Sequence, residues 1–178
     1  MTNQVKKYSI IYADPPWQYR RGVVPPNRKI ENHYQTMNID DILNLEIPTD
    51  KNCILYLWVT YPMLPEGLMV LNKWGFKYKS CLVWDKKIIG CGYWFRGQHE
   101  LLLVGLKGKI RSPKNSLRIS SVFSEKRTKH SKKPSKIRDY INLWYPSLNK
   151  IELFAREKTE GWDVWGNEVE NDINLLKI

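Results

Sequence analysis

The feature that most constrains the fold of this chain is a short apolar run that ends in Asp14-Pro15-Pro16-Trp17. The run Tyr8–Ala13 predicts a buried β-strand, because a largely apolar stretch of this length suits a strand covered on both faces. Each proline fixes its own φ and restricts the residue before it, so the chain leaves the strand through a stiff turn. Open α/β sheets bind ligands just outside the carboxyl ends of their strands. We therefore expect a ligand site at this turn.

The residues of this turn suit a flat ring that carries an amino group. The ionised carboxylate of Asp14 accepts hydrogen bonds, and we expect the carbonyl groups of Asp14 and Pro15 to lack a local donor. An exocyclic amino group supplies N–H groups to such acceptors. Trp17 offers a face for base stacking, an interaction worth roughly 1–3 kcal/mol per base. The alternative is ordinary turn chemistry beside a packed tryptophan, and these residues alone leave it open.

Apolar runs alternate with helical patterns along the rest of the chain. Further strands are predicted at residues 53–60, 76–84, 100–106, 150–155 and 162–165, with a short one within 117–123. Helices are predicted from residue 38 or 40 to 45, at 65–75 and at 134–144, where Pro134 would occupy the first helical position. This alternation predicts an α/β fold with a mostly parallel sheet. No repeat divides the sequence, so we expect residues 1–178 to form a single domain.

Positive charge is concentrated in one segment of the chain. Residues 107–138 contain twelve basic residues and one acidic residue, Glu125, and so carry a net charge of +11. The remaining basic and acidic residues number 17 each and cancel. Such a segment attracts a polyanion, and phosphate contacts dominate nucleic-acid affinity. A solvated, mobile surface loop is the alternative interpretation.

Composition excludes several other classes of protein. No apolar run reaches the length of a membrane span, and the N-terminus lacks the apolar stretch of a signal peptide. Cys53, Cys81 and Cys91 form no C-x-x-C pair, and the three histidines are scattered, which argues against a disulfide framework and against a metal site. We therefore expect a cytoplasmic protein with no membrane partner and no metal ion.

A second group of polar residues follows near the C-terminus. Glu152 lies inside an otherwise apolar predicted strand, where carboxylates are usually paired or ligand-bound. Arg156 follows that strand, and Asn167 and Glu168 follow the next one, where they could hold ribose hydroxyl groups. The absence of a G-x-G-x-x-G motif favours S-adenosylmethionine over a dinucleotide. A structural ion pair of Glu152 with Arg156 or a lysine is the alternative.

Seven blocks of the sequence follow one another in a characteristic order. They are Ala13-Asp-Pro-Pro-Trp17, Tyr34-Gln-Thr-Met37, Leu55-Tyr-Leu-Trp-Val-Thr60, Gly92-Tyr-Trp-Phe95, His99-Glu-Leu-Leu-Leu-Val-Gly105, Lys133-Pro134 and Lys150-Ile-Glu-Leu-Phe-Ala-Arg156. In this order they resemble the MT-A70 family of adenine-N6 methyltransferases, over residues 8–168. The resemblance implies a Rossmann-like methyltransferase sheet with helices on both faces. It also implies the permuted β-class order, in which the catalytic motif precedes the cofactor strand.

The resemblance also assigns roles to individual residues. It implies that Asp14, Pro15, Pro16 and Trp17 are catalytic, with Asp14 and the following carbonyl holding the adenine amino group. The residues implied for S-adenosylmethionine are Asp14, Lys133, Glu152, Arg156, Asn167 and Glu168. The residues assigned to the substrate, from the resemblance and from the basic segment, are Tyr34, Arg20, Arg21, Lys126, Arg127, Lys129 and Lys132.

Together these features predict an enzyme that transfers a methyl group from S-adenosylmethionine to N6 of adenine in nucleic acid, with DNA favoured over RNA. Catalysis would consist mostly of positioning and electrostatic stabilisation. Two alternatives stay open: methylation of RNA, and a non-catalytic nucleic-acid-binding subunit of such an enzyme. Methylation of cytosine N4 needs the same amino-group chemistry, but the block-by-block resemblance argues against it. A homodimer or a partner subunit is compatible with so small a chain.

Overall fold

The structure of the chain is a computed structural model, which describes residues 6–19, 36–92, 94–128 and 132–175. Four of the predicted substrate residues, namely Arg20, Arg21, Tyr34 and Lys129, lie outside the described residues.

One mixed sheet organises the described part of the chain. Its strands are β1 (Tyr8–Ala13), β2 (Thr49–Thr60), β3 (Lys77–Asp85), β4 (His99–Lys107), β5 (Val122–Ser124), β6 (Lys150–Leu153) and β7 (Asp163–Trp165). They are arranged in the order β5-β3-β4-β2-β1-β6-β7. Strand β4 runs antiparallel to its neighbours β2 and β3, and the other six strands run in one direction. The expected α/β fold with a mostly parallel sheet is therefore confirmed.

In the described part of the chain, three α-helices cover the two faces of the sheet. They are α1 (Ile39–Leu43), α2 (Leu64–Lys73) and α3 (Ser135–Trp144). Ile42 of α1 and Leu71 of α2 belong to the apolar core on one face, together with Ile11. Ile137 of α3 packs into the core on the opposite face with Tyr12, the residue that follows Ile11 in β1. Alternate residues of the central strands thus fill two cores, as a sheet buried on both faces requires.

Several element boundaries differ from the sequence-based predictions for local reasons. Strand β2 begins at Thr49, before the apolar run starts. Pro134 is the N-cap of α3 and not its first helical residue. The short strand begins at Val122, because the preceding segment is held against α3, where the Trp144 indole N–H donates to the carbonyl of Leu117 at 2.8 Å. Strand β6 ends at Leu153, before Phe154, whose φ is 62°.

The topology brings the predicted site to one edge of the sheet. Strands β1, β6 and β7 are parallel neighbours, so the residues after Ala13, Leu153 and Trp165 lie side by side at their carboxyl ends. Strand β2 ends at this edge, and the antiparallel β4 begins there. We call it the carboxyl edge. Among the described residues, no helix has the length and apolar character needed to cross a membrane.

Candidate active site

Two backbone hydrogen bonds hold the turn after β1, one within the turn and one from Met37. The N–H of Trp17 donates to the carbonyl of Pro15 at 2.8 Å, and the N–H of Met37 donates to the carbonyl of Pro16, also at 2.8 Å. The expectation that the Pro15 carbonyl lacks a local donor is therefore wrong, because the chain folds back sharply enough for Trp17 to reach it. A carbonyl oxygen has two lone pairs, so the Pro15 oxygen retains capacity for a second donor.

Trp17 is buried in the apolar core beneath this turn. Its side chain is 4% exposed, and its indole N–H donates to the carbonyl of Trp58 on β2 at 3.0 Å. In this structure Trp17 therefore holds the turn against the sheet. Base stacking by Trp17 stays a prediction.

Two residues that the sequence assigns to the site form an ion pair at the carboxyl edge. Lys133 immediately precedes the N-cap of α3, and its Nζ lies 2.7 Å from Oδ2 of Asp14. Both side chains are largely buried. Asp14 and Lys133 are 119 positions apart in sequence, so only the fold brings them together.

A buried glutamate that the sequence analysis did not single out extends this pair. Glu100, the second residue of β4, has Oε2 3.3 Å from Nζ of Lys133, and Oε1 accepts a hydrogen bond from Lys86 at 3.2 Å. We call Asp14, Lys133, Glu100 and Lys86 the edge network. Glu100 is a carboxylate near the start of a mostly apolar strand, a signal similar to the one that identified Glu152.

Burial and charge act against each other within the edge network. Burial raises the pKa of Asp14 above its ordinary value, and the charge of Lys133 opposes that effect only partly. Burial alone would lower the pKa of Lys133, but the carboxylates of Asp14 and Glu100 raise it. Burial alone would likewise raise the pKa of Glu100, but Lys133 and Lys86 lower it. Lys133 therefore stays charged between two carboxylates.

The other predicted carboxylate, Glu152, has a partner that the sequence did not identify. Nη1 of Arg138 lies 3.1 Å and 2.8 Å from the two carboxylate oxygens of Glu152, and Nη2 donates to Glu157 at 3.1 Å. Burial raises the pKa of Glu152, against the opposing charge of Arg138. A direct contact between Glu152 and a cofactor would have to share these oxygens with Arg138.

Removing the arginine from this pair is expected to destabilise the fold. The substitution Arg138→Met leaves Glu152 buried without its cation, which costs about 3 kcal/mol or more in buried pairs. The double variant Arg138→Met/Glu152→Gln should recover part of that loss, because no buried charge is left unpaired. Urea unfolding followed by circular dichroism measures both effects.

Lys158→Met is the matched control, since Lys158 pairs with Asp172 at 2.9 Å on the exposed surface. Its unfolding midpoint should stay close to that of the wild type. An Arg138→Met variant as stable as this control would contradict a structural role for the pair.

The remaining predicted cofactor residues lie together at the ends of β6 and β7. Nε of Arg156 lies 3.5 Å from Oε1 of Glu168, and both side chains, like that of Asn167, are exposed. The two loops pack closely, because a Cβ on Gly166 would lie 2.1 Å from the carbonyl oxygen of Ala155. This close packing requires glycine before Asn167.

Part of the basic segment lines a cavity beside Lys133. The cavity has a volume of about 280 Å³, and its lining includes Lys126, Arg127 and Lys132. Lys126 and Lys132 are exposed, and Lys132 also pairs with Glu157 at 3.1 Å. The structure therefore brings three of the predicted substrate residues to the carboxyl edge. In the described ranges, no cluster of histidine, cysteine and acidic side chains is suited to a metal ion.

The sheet, in which only β4 among the described strands is antiparallel, is of the Rossmann-like type to which methyltransferases of this kind belong. The MT-A70 family model matches residues 8–168, so the chain belongs to the MT-A70 family.

Named relatives cover the chain almost completely. Type II methyltransferase M.MunI of Mycoplasma sp is 36% identical over 190 residues, which cover 96% of this chain and 82% of that protein. The human N(6)-adenosine-methyltransferase catalytic subunit METTL3 is 31% identical over 181 residues, which again cover 96% of this chain but 29% of the human protein. The zebrafish METTL3 subunit, from Danio rerio, is 30% identical over the same length. The match to the type II methyltransferase therefore extends over most of both proteins.

Proposed function

We propose that this chain transfers a methyl group from S-adenosylmethionine to N6 of adenine in DNA. The observation that carries the proposal is the buried pair of Asp14 and Lys133 at the carboxyl edge of a chain that belongs to the MT-A70 family. The family and the names of the relatives support adenine-N6 methylation, as the sequence predicted. We also propose that residues 1–178 act as one methyltransferase domain.

The turn at Asp14 would orient the amino group for transfer. The carboxylate of Asp14 and the remaining lone pair of the Pro15 carbonyl accept the two N–H groups of adenine. The nitrogen lone pair is then directed away from the turn. The negative charge of Asp14 stabilises the positive charge that develops on N6, so the site acts by positioning and electrostatics.

The residues at this edge fit S-adenosylmethionine, which supplies an electrophilic methyl group when bound. Its amino-acid end carries a carboxylate, for which the buried ammonium group of Lys133 is a suitable partner. Its ribose carries hydroxyl groups, which suit the amide of Asn167 and the carboxylate of Glu168. Asp14, Glu152 and Arg156 complete the proposed set.

DNA is the proposed carrier of the adenine. The type II methyltransferase matches this chain over most of both lengths, and type II is a designation of DNA-modifying enzymes. The match to the adenosine methyltransferases covers less than a third of the length of those proteins. RNA is the second candidate, because those relatives are named for adenosine.

Labelled methyl transfer tests this proposal and its alternatives. The chain is incubated with methyl-labelled S-adenosylmethionine and either an unmethylated DNA pool or an RNA pool. We expect label in DNA and little in RNA, and label confined to RNA would replace the proposed substrate. Calorimetry with S-adenosylmethionine tests the non-catalytic alternative. Absence of both transfer and cofactor binding would contradict an enzyme.

The pH dependence of the reaction should follow the ionisation of Asp14, because only the ionised carboxylate carries the negative charge that stabilises the positive charge developing on N6. Because burial raises its pKa, kcat/KM should fall on the acid side above the ordinary range of aspartate. Glu100→Gln removes a negative charge that raises this pKa, so the acid limb should move to lower pH. Lys133→Met removes the opposing positive charge, so the limb should move to higher pH. A pH series of kcat/KM for both variants checks these signs, and shifts in the same direction would contradict them.

Cellular location and self-association belong to the same proposal. The three cysteines are free thiols in the structure, which is compatible with the reducing cytoplasm. A homodimer or a partner subunit would extend the surface available to the nucleic acid.

A further inference from the structure

The connection between β3 and β4 presents two unburied aromatic side chains. Trp94 is 94% exposed and Phe95 is 85% exposed, the largest values among the large apolar residues that the structure describes. They lie at the tip of a segment that leaves β3 at Lys86 and enters β4 after Gln98. We call the described residues of this segment, 86–92 and 94–98, the aromatic finger. Large exposed apolar groups of this kind commonly mark a binding surface.

The base of the finger is held by a network of hydrogen bonds. Oδ1 of Asp85 accepts the backbone N–H of Lys87 at 2.9 Å and the side-chain amide of Gln98 at 2.8 Å. Across the finger, the N–H of Gly90 donates to the carbonyl of Gly97 at 2.6 Å. These bonds close the two arms of the finger on each other.

The finger is joined directly to the candidate active site. Lys86, its first residue, belongs to the edge network through its hydrogen bond to Glu100. Gly97 packs against the ring of Tyr61, since a Cβ there would lie 2.6 Å from the ring. Tyr61 follows β2, the strand beside β1. The aromatic tip therefore projects from the edge that holds Asp14.

The charge around the finger favours a polyanion as its partner. Arg96 is exposed and basic, and the described finger residues include no acidic side chain. Lys86 and Lys87 pair with Glu100 and Asp85 at the base of the finger. The basic segment, which carries the chain's net charge of +11, reaches the base of the finger, where the N–H of Arg127 donates to the carbonyl of Lys86 at 3.3 Å. Aromatic side chains beside cations are the combination with which proteins stack on bases while holding phosphates.

We infer that Trp94 and Phe95 stack on the bases that flank the target adenine and fill the gap left when that adenine leaves the duplex. Enzymes that modify a base must take it out of the stack, and an aromatic side chain can replace the lost stacking. The inference rests on the proposed function, because it needs a nucleic-acid substrate at the carboxyl edge.

The test compares Trp94→Ala, Phe95→Ala and the double variant with the wild type. Two quantities are measured: kcat/KM on a duplex DNA pool, and affinity for a fluorescein-labelled duplex of mixed sequence. Each single change should lower both about 10-fold, and the double change should lower both roughly 100-fold. The slope of log affinity against log salt should be unchanged, because an uncharged ring releases no counterions. Trp94→Phe keeps a stacking ring and should recover most of the loss. Leu143→Ala, at an exposed apolar position of α3, is the matched control.

Each outcome bears on a different claim. Unchanged affinity and turnover in the double variant would overturn the stacking role. A loss that accompanies a change of mass in light scattering would assign the tip to a contact between protein chains, and so would also overturn it. If the wild type binds the duplex but transfers no methyl group to DNA, the proposed function fails, and the binding measurements still decide whether the finger stacks on bases.

Discussion

Replacing Asp14 with alanine is expected to lower methyl transfer about 1000-fold, since one preorganised electrostatic contact in an active site contributes up to that factor. Asp14 directly follows β1 and lies at the carboxyl edge. In the proposed mechanism its carboxylate accepts hydrogen bonds from the adenine amino group. Binding of S-adenosylmethionine should be weakened but measurable, because Lys133, Asn167 and Glu168 are retained. Turnover is measured with the labelled cofactor, and cofactor binding by calorimetry.

Asp139→Ala is the matched control for this substitution. Asp139 is an exposed aspartate on α3, so its removal should leave both turnover and cofactor binding near the wild-type values. Asp14→Asn keeps the size of the side chain but removes its charge, and it should lose most of the activity as well. Retained turnover in the Asp14→Ala variant would remove Asp14 from the mechanism.

Neutralising four basic residues that precede Lys133 in the sequence is also expected to weaken nucleic-acid binding strongly. The variant replaces Lys126, Arg127, Lys129 and Lys132 with glutamine. If each holds a phosphate, affinity for duplex DNA should fall roughly 1000-fold at about 0.1 M salt, with a salt slope shallower by about 3 to 4. Fluorescence anisotropy of a labelled duplex at a series of salt concentrations measures both quantities.

A charge-matched control separates this local effect from the net charge of the protein. Lys51, Lys73, Lys77 and Lys79 are exposed and lie toward the opposite edge of the sheet, near the starts of β2 and β3 and the end of α2. Replacing these four with glutamine removes the same charge but should change the salt slope much less. Equal slopes for the two variants would identify the segment at Lys126 as a solvated loop without a specific role in binding.

Local patterns were sufficient to predict most of the fold. The apolar run Tyr8–Ala13 is the strand in the structure, and Asn38 caps α1 by accepting the N–H of Asp41. The direction of β4 could not be obtained in this way. An apolar run indicates a buried strand, but parallel and antiparallel neighbours are distinguished only by the path of the connecting chain.

The site was predictable where the chemistry is local and unpredictable where it depends on contacts between distant segments. The turn at Asp14 and the position of Lys133 before α3 follow from short motifs. The partner of Glu152 does not, because Arg138 was one of twelve basic residues in its segment and only the packing of α3 selects it. Glu100 was identifiable in principle, since a carboxylate in an apolar strand needs a partner.

The nucleoside composition of host DNA shows directly whether the chain methylates N6 of adenine. The chain and its Asp14→Ala variant are each produced in a bacterial host that lacks adenine methylation, and the host DNA is digested and analysed by mass spectrometry. We expect N6-methyladenine in DNA from cells with the wild-type chain and far less in DNA from cells with the variant. N4-methylcytosine in place of N6-methyladenine, or equal N6-methyladenine with both chains, would contradict this expectation.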